Sequence, residues 1–344
     1  MVLYKQLIIQ LINEEIKGFK TFTFEEGHDI SYQAGQYLTF ALTIHNEEIR
    51  RSYSIISAPL LNEPLAIGVK RIENGFFSRQ LIDHALPGDE LITTGAGGFF
   101  TLPENIHSYR QIFFFAAGSG ITPVYSLLKT ALHLHQHLQI VLIYSNASPS
   151  KTIFLIQLQL LQELFAERFQ LRFLFSNSPL LTEARLNREL LIALLKKYIK
   201  AQSHEVLFYI CGPEPYMRMC TYTLQEERIP RENIRHENFI INRIPPPKAT
   251  PPDKKTHWAT ISYSGNDYSF KVQYPDSILQ AAKKQGISLP YSCETGRCGS
   301  CAAKCLAGKV WLSYNEVLTD NDLKNGLTLT CVGHPIGGDV RLEI

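Results

Sequence analysis

At 344 residues the chain is too long for one ordinary hydrophobic core, so two or three domains are expected. Hydrophobic residues make up 45% and charged residues 19%, which excludes a disordered chain, and a formal net charge of +2 gives no electrostatic footing for nucleic acid or a membrane surface. No apolar run approaches the roughly 18 residues of a membrane span, and the stretch Leu7–Ile12, flanked by Lys5, Glu14 and Glu15, does not read as a secretory signal, so the cytoplasm is the expected location.

Residues 1–106 read as short strands: Leu7–Ile12, Lys20–Phe24, Gln36–Leu42, Tyr53–Ser57, Leu65–Arg71 and Glu90–Thr94. Turn signals such as Pro87-Gly88-Asp89 separate them, with one helix expected over Phe77–Ala85, so the pattern predicts an antiparallel β-barrel or sandwich. Residues 107–240 change texture. Apolar runs at Gln111–Ala117, Gln139–Tyr144, Gln170–Phe175 and Val206–Cys211 suit parallel strands buried on both faces. Helical spacing at Pro123–His133, Thr152–Glu167, Asn187–Ile199 and Glu214–Glu227 alternates with them, which predicts an α/β doubly wound sheet. Residues 241–257 carry Pro245, Pro246, Pro247, Pro251 and Pro252, and read as an extended linker because proline fixes φ and lacks an N–H. The last unit is 258–344.

That unit holds the strongest motif. Cys293, Cys298 and Cys301 stand at C-x4-C-x2-C spacing, and Cys331 follows thirty residues on. Thiolates are soft donors suited to iron–sulfide units, and this is plant-type [2Fe–2S] spacing. Gly296 and Gly299 let a loop bend around a bulky inorganic core. A four-cysteine zinc site usually presents two CxxC-like halves, whereas here the fourth cysteine stands alone after Leu329-Thr330. Cys305 reads as a packed thiol and Cys220 as a helix core residue. The region resembles a plant-type ferredoxin domain, including a helix at Ser277–Gln285, and that resemblance implies an α+β (β-grasp) fold. Its eight acidic and eight basic side chains give no steering charge, which fits a domain tethered to its donor.

In the first unit, Arg51-Ser52-Tyr53-Ser54 precedes Gly75-Phe76-Phe77-Ser78 by some twenty residues. A glycine turn into a helix N-terminus offers free N–H groups to a phosphate. In the second, Gly118-Ser119-Gly120-Ile121-Thr122-Pro123 closes the first apolar strand, and Cys211-Gly212-Pro213 closes the fourth. Glu237-Asn238-Phe239 ends the unit. These five segments, in this order, resemble the ferredoxin–NADP reductase superfamily. With a C-terminal ferredoxin domain the chain is similar to oxygenase reductase components, and Ala116–Pro123 and Cys211–Pro215 look like those of the phenylacetyl-CoA epoxidase type.

The resemblance implies that Arg51 contacts the flavin phosphate, Tyr53 stacks on the ring and Ser54 bonds near its N5. It places the pyrophosphate at Gly75, Phe76, Phe77 and Ser78, and therefore favours FAD over FMN. Gly118, Ser119, Gly120, Gly212 and Pro213 would bind the nicotinamide nucleotide, Thr122 and Cys211 would flank its C4, and Glu237 and Phe239 would lie near the flavin. The implied function is passage of electrons from a nicotinamide nucleotide through FAD and [2Fe–2S] to a protein acceptor, an oxygenase component. A reductase serving a desaturase or cytochrome, or a redox sensor without turnover, are the alternatives. Without the other motifs Tyr53 reads as a core aromatic. The segment Ser145-Asn146-Ala147-Ser148-Pro149-Ser150-Lys151 has no acidic residue to read a ribose 2′-OH, so Ser145 and Lys151 are expected to favour NADPH over NADH. His133, His135 and His137 alternate, and the His133/His137 pair lacks a completing ligand, so these read as helix-end residues.

Overall fold

The computed structural model describes residues 4–44, 47–239 and 249–344. In the first unit β1 (Lys5–Ile16), β2 (Phe19–Phe24), β3 (Tyr37–Ile44), β4 (Glu47–Ser54), β5 (Ala66–Lys70) and β6 (Glu90–Gly97) form an antiparallel sheet in the order β4-β3-β6-β1-β2-β5. A bridge between Ile55, just past β4, and Ile67 of β5 joins the two edges and closes a barrel. Side chains alternate across each strand, so Leu7, Ile9, Phe22, Phe24, Leu38 and Phe40 fill the interior. Helix α1 (Phe76–Arg79) runs into a single π turn, Gln80–His84, and adds Phe77, Leu81 and Ile82 to that core. The expected strand at Tyr53–Ser57 in fact lies earlier, at Glu47–Ser54. Its charged sequence conceals it. Arg50 is buried nonetheless, because its Nε donates to Glu48 Oε1 at 2.7 Å and its Nη1 to the Tyr291 carbonyl at 3.0 Å.

The second unit is a parallel sheet of β7 (Gln111–Ala117), β8 (Gln139–Asn146), β9 (Phe169–Phe175), β10 (Val206–Cys211) and β11 (Ile234–Glu237), in the order β11-β10-β7-β8-β9. Helices α2 (Ile121–Leu134), α3 (Leu155–Leu164), α4 (Leu181–Ala184), α5 (Arg188–Tyr198) and α6 (Glu214–Glu226) connect the strands. Strands β7 and β10 are covered on both faces, which accounts for their continuous apolar runs. Strand order reverses between β7 and β10, so the loops after these two strands flank a switch-point crevice. Phe19, Ile56 and Ala66 of the barrel share one core with Ile121, Val124 and Leu127 of α2.

In the third unit β12 (His257–Tyr263), β13 (Asn266–Val272), β14 (Ala302–Ala307), β15 (Val310–Leu312), β16 (Leu327–Leu329), β17 (Gly333–Pro335) and β18 (Val340–Glu343) appear with helices α7 (Ile278–Lys284) and α8 (Asp320–Lys324). The main sheet runs β13-β12-β18-β14-β16, with β12 and β18 parallel and the remaining pairs antiparallel. Helix α7 buries Ile278, Leu279, Ala281 and Ala282, and a Ser277–Gln280 capping box starts it. This is a β-grasp arrangement. Of the proline-rich linker, Pro245, Pro246 and Pro247 lie outside the described residues, and 249–256 has no regular structure. Asp253 anchors that segment by accepting from the Lys255 and Gly337 N–H groups and pairing with His257. Among the described residues no helix is long and apolar enough to cross a membrane.

Candidate functional site

Cys293, Cys298 and Cys301 sit on the loop between α7 and β14, and Cys331 in the turn between β16 and β17. The four thiols converge. The Cys293 N–H donates to Cys298 Sγ at 3.4 Å, the Thr295 N–H donates to Cys293 Sγ at 3.4 Å, and the Cys331 thiol meets that of Cys301. Hydrogen bonding with Cys298 pulls Cys293 down to about 5, while hydrogen bonding with Cys293, reinforced by burial, pushes Cys298 up. Crowded thiols oppose one another's ionisation unless positive charge lies between them, so this donor set fits a multi-iron cluster. Gly296 and Gly299 take φ of +76° and +75°, which only glycine adopts cheaply, so the loop folds back on itself. Cys305 lies on β14 and bonds the Ala307 and Gly308 carbonyls, outside this set, and Cys220 is buried in α6.

The cluster loop forms one wall of a cavity of about 340 Å³ to which all three units contribute. Tyr37, Ser52 and Ser54 line it from the barrel, Glu237 and Phe239 from the end of β11, and Arg297 and Cys298 from the cluster loop. Ser54 Oγ and Glu237 Oε2 are buried without a hydrogen-bond partner in the protein. Burial pushes the Glu237 carboxyl up to about 8. Glu237 stands in register with Cys211 across β10–β11, and burial, followed by the charge of Glu237, pushes the Cys211 thiol up. Orphaned polar atoms around an open space mark a site for a polar ligand. A flavin ring fits that requirement.

At the switch point Gly118–Gly120 makes a 3-10 turn into α2, with Gly118 at φ +55°. A Cβ on Gly120 would stand 2.1 Å from the Cys211 carbonyl oxygen, so glycine is what lets the two motif loops meet. The Thr122 hydroxyl donates to the Ser119 carbonyl at 2.9 Å, and Gly212-Pro213 leads into α6. Gly118, Ser119, Gly120, Thr122, Cys211, Gly212 and Pro213 are thus brought together. Ser145, the penultimate residue of β8, is half-buried and Lys151 is exposed in the turn Pro149–Lys151, and neither lines the cavity.

The other residues expected to hold the flavin lie off the cavity. Tyr53 packs 5.7 Å from Phe77 and 6.2 Å from Phe40, and Arg51 Nη1 donates to the Arg50 carbonyl. Gly75 caps α1, which leaves the Phe76, Phe77 and Ser78 N–H groups without intrahelical partners. The Ser78 hydroxyl donates to the Gly75 carbonyl and accepts from the Ile72 N–H, and Phe76 is exposed. Sequence reasoning missed Tyr37, Ser52, Phe99 and Arg297. Of these, Ser52 inside the Arg51–Ser54 segment and Arg297 inside the cysteine motif are the two that a sequence signal could have marked out. Of the histidines, His135 and His137 approach His107, while His133 packs edge-on against Phe165.

Residues 8–102 match an oxidoreductase FAD-binding domain, 114–221 an oxidoreductase NAD-binding domain and 261–335 a 2Fe-2S iron-sulfur cluster binding domain. Across 351 aligned residues the chain is 30% identical to a component of the 1,2-phenylacetyl-CoA epoxidase of Escherichia coli, covering 100% of this chain and 98% of that protein. The chain belongs to the ferredoxin–NADP reductase superfamily, in its three-domain form. It is also 28% identical to the ferredoxin reductase component of 3-ketosteroid-9-alpha-monooxygenase from Rhodococcus rhodochrous, over 98% of this chain and 96% of that one. Phthalate dioxygenase reductase shares the fold at a TM-score of 0.60 and 22% identity, over 99% of this chain and 98% of that chain. As a member of this superfamily the chain is an oxidoreductase of the oxygenase-reductase type that uses FAD, a nicotinamide nucleotide and a [2Fe–2S] cluster.

Proposed function

We propose that the chain is the cytoplasmic reductase component of a multicomponent oxygenase of the phenylacetyl-CoA epoxidase type, with NADPH as its donor. The observation that carries this is the shared cavity, where Ser54 of the barrel, Glu237 of the nucleotide unit and the cluster ligand Cys298 face one space. When bound, the flavin supplies conversion between two-electron and one-electron chemistry, and the cluster supplies single-electron relay. The protein's part is to hold and exclude. Gly118–Thr122 and Cys211–Pro213 would hold the nucleotide at the switch point, with Thr122 and Cys211 beside its nicotinamide. Arg51 and the N–H groups of Phe76–Ser78 would hold the flavin phosphates, and Tyr53 would stack on its ring. With a flavin in that cavity the unpartnered Ser54 hydroxyl would be free to donate to the ring, and Phe239 would line the same space. Glu237, held neutral by burial, keeps a proton there at neutral pH.

Two measurements test this reading. Purified protein should contain FAD, with iron and acid-labile sulfide in equal amounts, and zinc without sulfide would sink the cluster assignment. Mixing with NADPH and an oxygenase component of the phenylacetyl-CoA epoxidase type should support turnover of a coenzyme A thioester. Reduction of cytochrome c without any coupling to that oxygenase would move the acceptor elsewhere.

A further inference from the structure

The segment that carries the first three cluster ligands is fastened to the barrel as well as to its own domain. Arg50 of β4 lies 3.8 Å from the Tyr291 ring centroid and donates to the Tyr291 carbonyl. Next along the strand, Ser52 Oγ meets Ser292 Oγ at 2.9 Å. Between Cys298 and Cys301, a Cβ on Gly299 would stand 2.8 Å from the Phe99 ring, so that ring sits directly on the loop. Between these contacts lies Tyr37 of β3, which is 5% exposed. Its hydroxyl is 2.5 Å from the Cys298 carbonyl and 2.7 Å from Ser300 Oγ. Ser300 Oγ in turn lies 3.4 Å from Cys298 Sγ. Gly98 clamps the ring in place, since a Cβ there would fall 2.8 Å from Tyr37 Cε1.

Proton bookkeeping gives this chain a direction. A ligating Cys298 sulfur has no proton, so the Ser300 hydroxyl is the donor in their contact. Tyr37 has one proton, and the two short contacts allow it to be shared between the Cys298 carbonyl and Ser300 Oγ in a bifurcated bond. With Tyr37 donating, Ser300 keeps its own proton aimed at the sulfur. Hydrogen bonds to cluster sulfurs help to set reduction potential, and partners that orient them matter nearly as much as the ligands. Tyr37 also lines the cavity assigned to the flavin, so one side chain touches both the donor space and the acceptor loop.

We propose that Tyr37 is a positioning residue for transfer between flavin and cluster: through Ser300 and the Cys298 backbone it holds the cluster loop against the flavin cavity and orients the hydrogen bond to the Cys298 sulfur. This rests on the four cysteines being the cluster ligands. The test compares Tyr37→Phe, Ser300→Ala and the double variant with wild type as flavin- and cluster-loaded proteins. Stopped-flow mixing with NADPH should show flavin reduction unchanged in Ser300→Ala, whose side chain does not line the flavin cavity, and each variant's own flavin-reduction rate is the reference for its cluster step. Subsequent cluster reduction should slow at least about tenfold in Tyr37→Phe, the scale expected for slight misplacement of reacting partners. Redox titration followed by electron paramagnetic resonance should give a more negative cluster potential and altered g-values in both single variants. The double variant should shift no further than Ser300→Ala alone, because Tyr37 acts through Ser300. Wild-type transfer rate and an unchanged resonance signal in Tyr37→Phe overturn the proposal, as does full additivity of the two potential shifts. A wild-type protein with no such signal overturns the cluster assignment instead. If Tyr37→Phe fails to hold a cluster, Ser300→Ala alone decides, since an unshifted potential there removes the relay.

Discussion

Cys211 and Glu237 pair in register at the ends of the parallel strands β10 and β11, the thiol fully buried and the carboxyl facing the cavity. That carboxyl is driven up by desolvation from 4.5 to about 8. The folded protein therefore keeps a proton that the unfolded chain releases near pH 4.5. By linkage, the resulting stabilisation is fully present below that pH and is lost as pH rises through about 8. Glu237→Gln removes the titration. Between pH 5 and pH 9 the melting temperature of wild type should fall relative to the variant, by on the order of 1–2 kcal/mol in stability for a partly screened carboxyl. Parallel melting curves across that range would show that Glu237 does not hold a proton.

Cys298→Ser separates the two halves of the electron path. The substitution removes a cluster ligand but leaves the barrel and switch point untouched. Bleaching of the flavin by NADPH should be largely unchanged, while cytochrome c reduction drops at least about a hundredfold. Equal loss of both activities in a folded, flavin-loaded variant contradicts a relay through the cluster.

The elements that were legible in the sequence are those whose physics is local. The buried runs of β7 and β10 declare themselves because both faces are covered, and the cluster ligands because their spacing is chemical. Strand β4 was concealed because Glu47, Glu48, Arg50 and Arg51 interrupt any apolar alternation, and it takes the long-range partner Tyr291 beside the local Glu48 to make the buried Arg50 tolerable. Tyr37 looks like any strand aromatic. Its role depends on a carbonyl 261 residues away, which no spacing in the chain encodes. The structure places Ser54 and Glu237, both expected near the flavin, in one cavity while leaving Tyr53 among Phe40 and Phe77, a division that sequence order does not reveal.

The two glycines of the switch-point turn should respond differently to alanine. At Gly118 nothing lies within 4 Å of an added Cβ, and the cost is the left-handed φ of +55°, about 1 kcal/mol. At Gly120 the methyl would meet the Cys211 carbonyl oxygen at 2.1 Å and the Gly212 nitrogen at 2.8 Å, both backbone atoms that cannot swing away. Gly120→Ala should therefore cost about 3 kcal/mol or more and weaken nucleotide binding as the loops are forced apart. Denaturant unfolding of the two variants side by side measures the difference. Equal costs would show that the loops have slack that their geometry does not suggest.

Nucleotide preference depends on the turn after β8. An acidic side chain near the end of the second strand of a dinucleotide fold bonds the ribose 2′-OH and repels a 2′-phosphate. Here β8 ends at Asn146 and runs into Ala147-Ser148-Pro149-Ser150-Lys151, where no carboxylate stands. Ser148 and Ser150 face each other at 3.1 Å between their hydroxyl oxygens, and Lys151 projects from the turn exposed to solvent. Hydroxyl donors beside a mobile ammonium suit a phosphate dianion, which binds Lys as a point charge. NADPH should therefore exceed NADH in kcat/KM, and Lys151→Ala should lower the NADPH value about tenfold, the loss of one charge-assisted contact, while leaving NADH unchanged. A clear NADH preference, or an Ala variant that keeps its full NADPH efficiency, would show that this turn does not read the 2′ position and that the donor is chosen elsewhere.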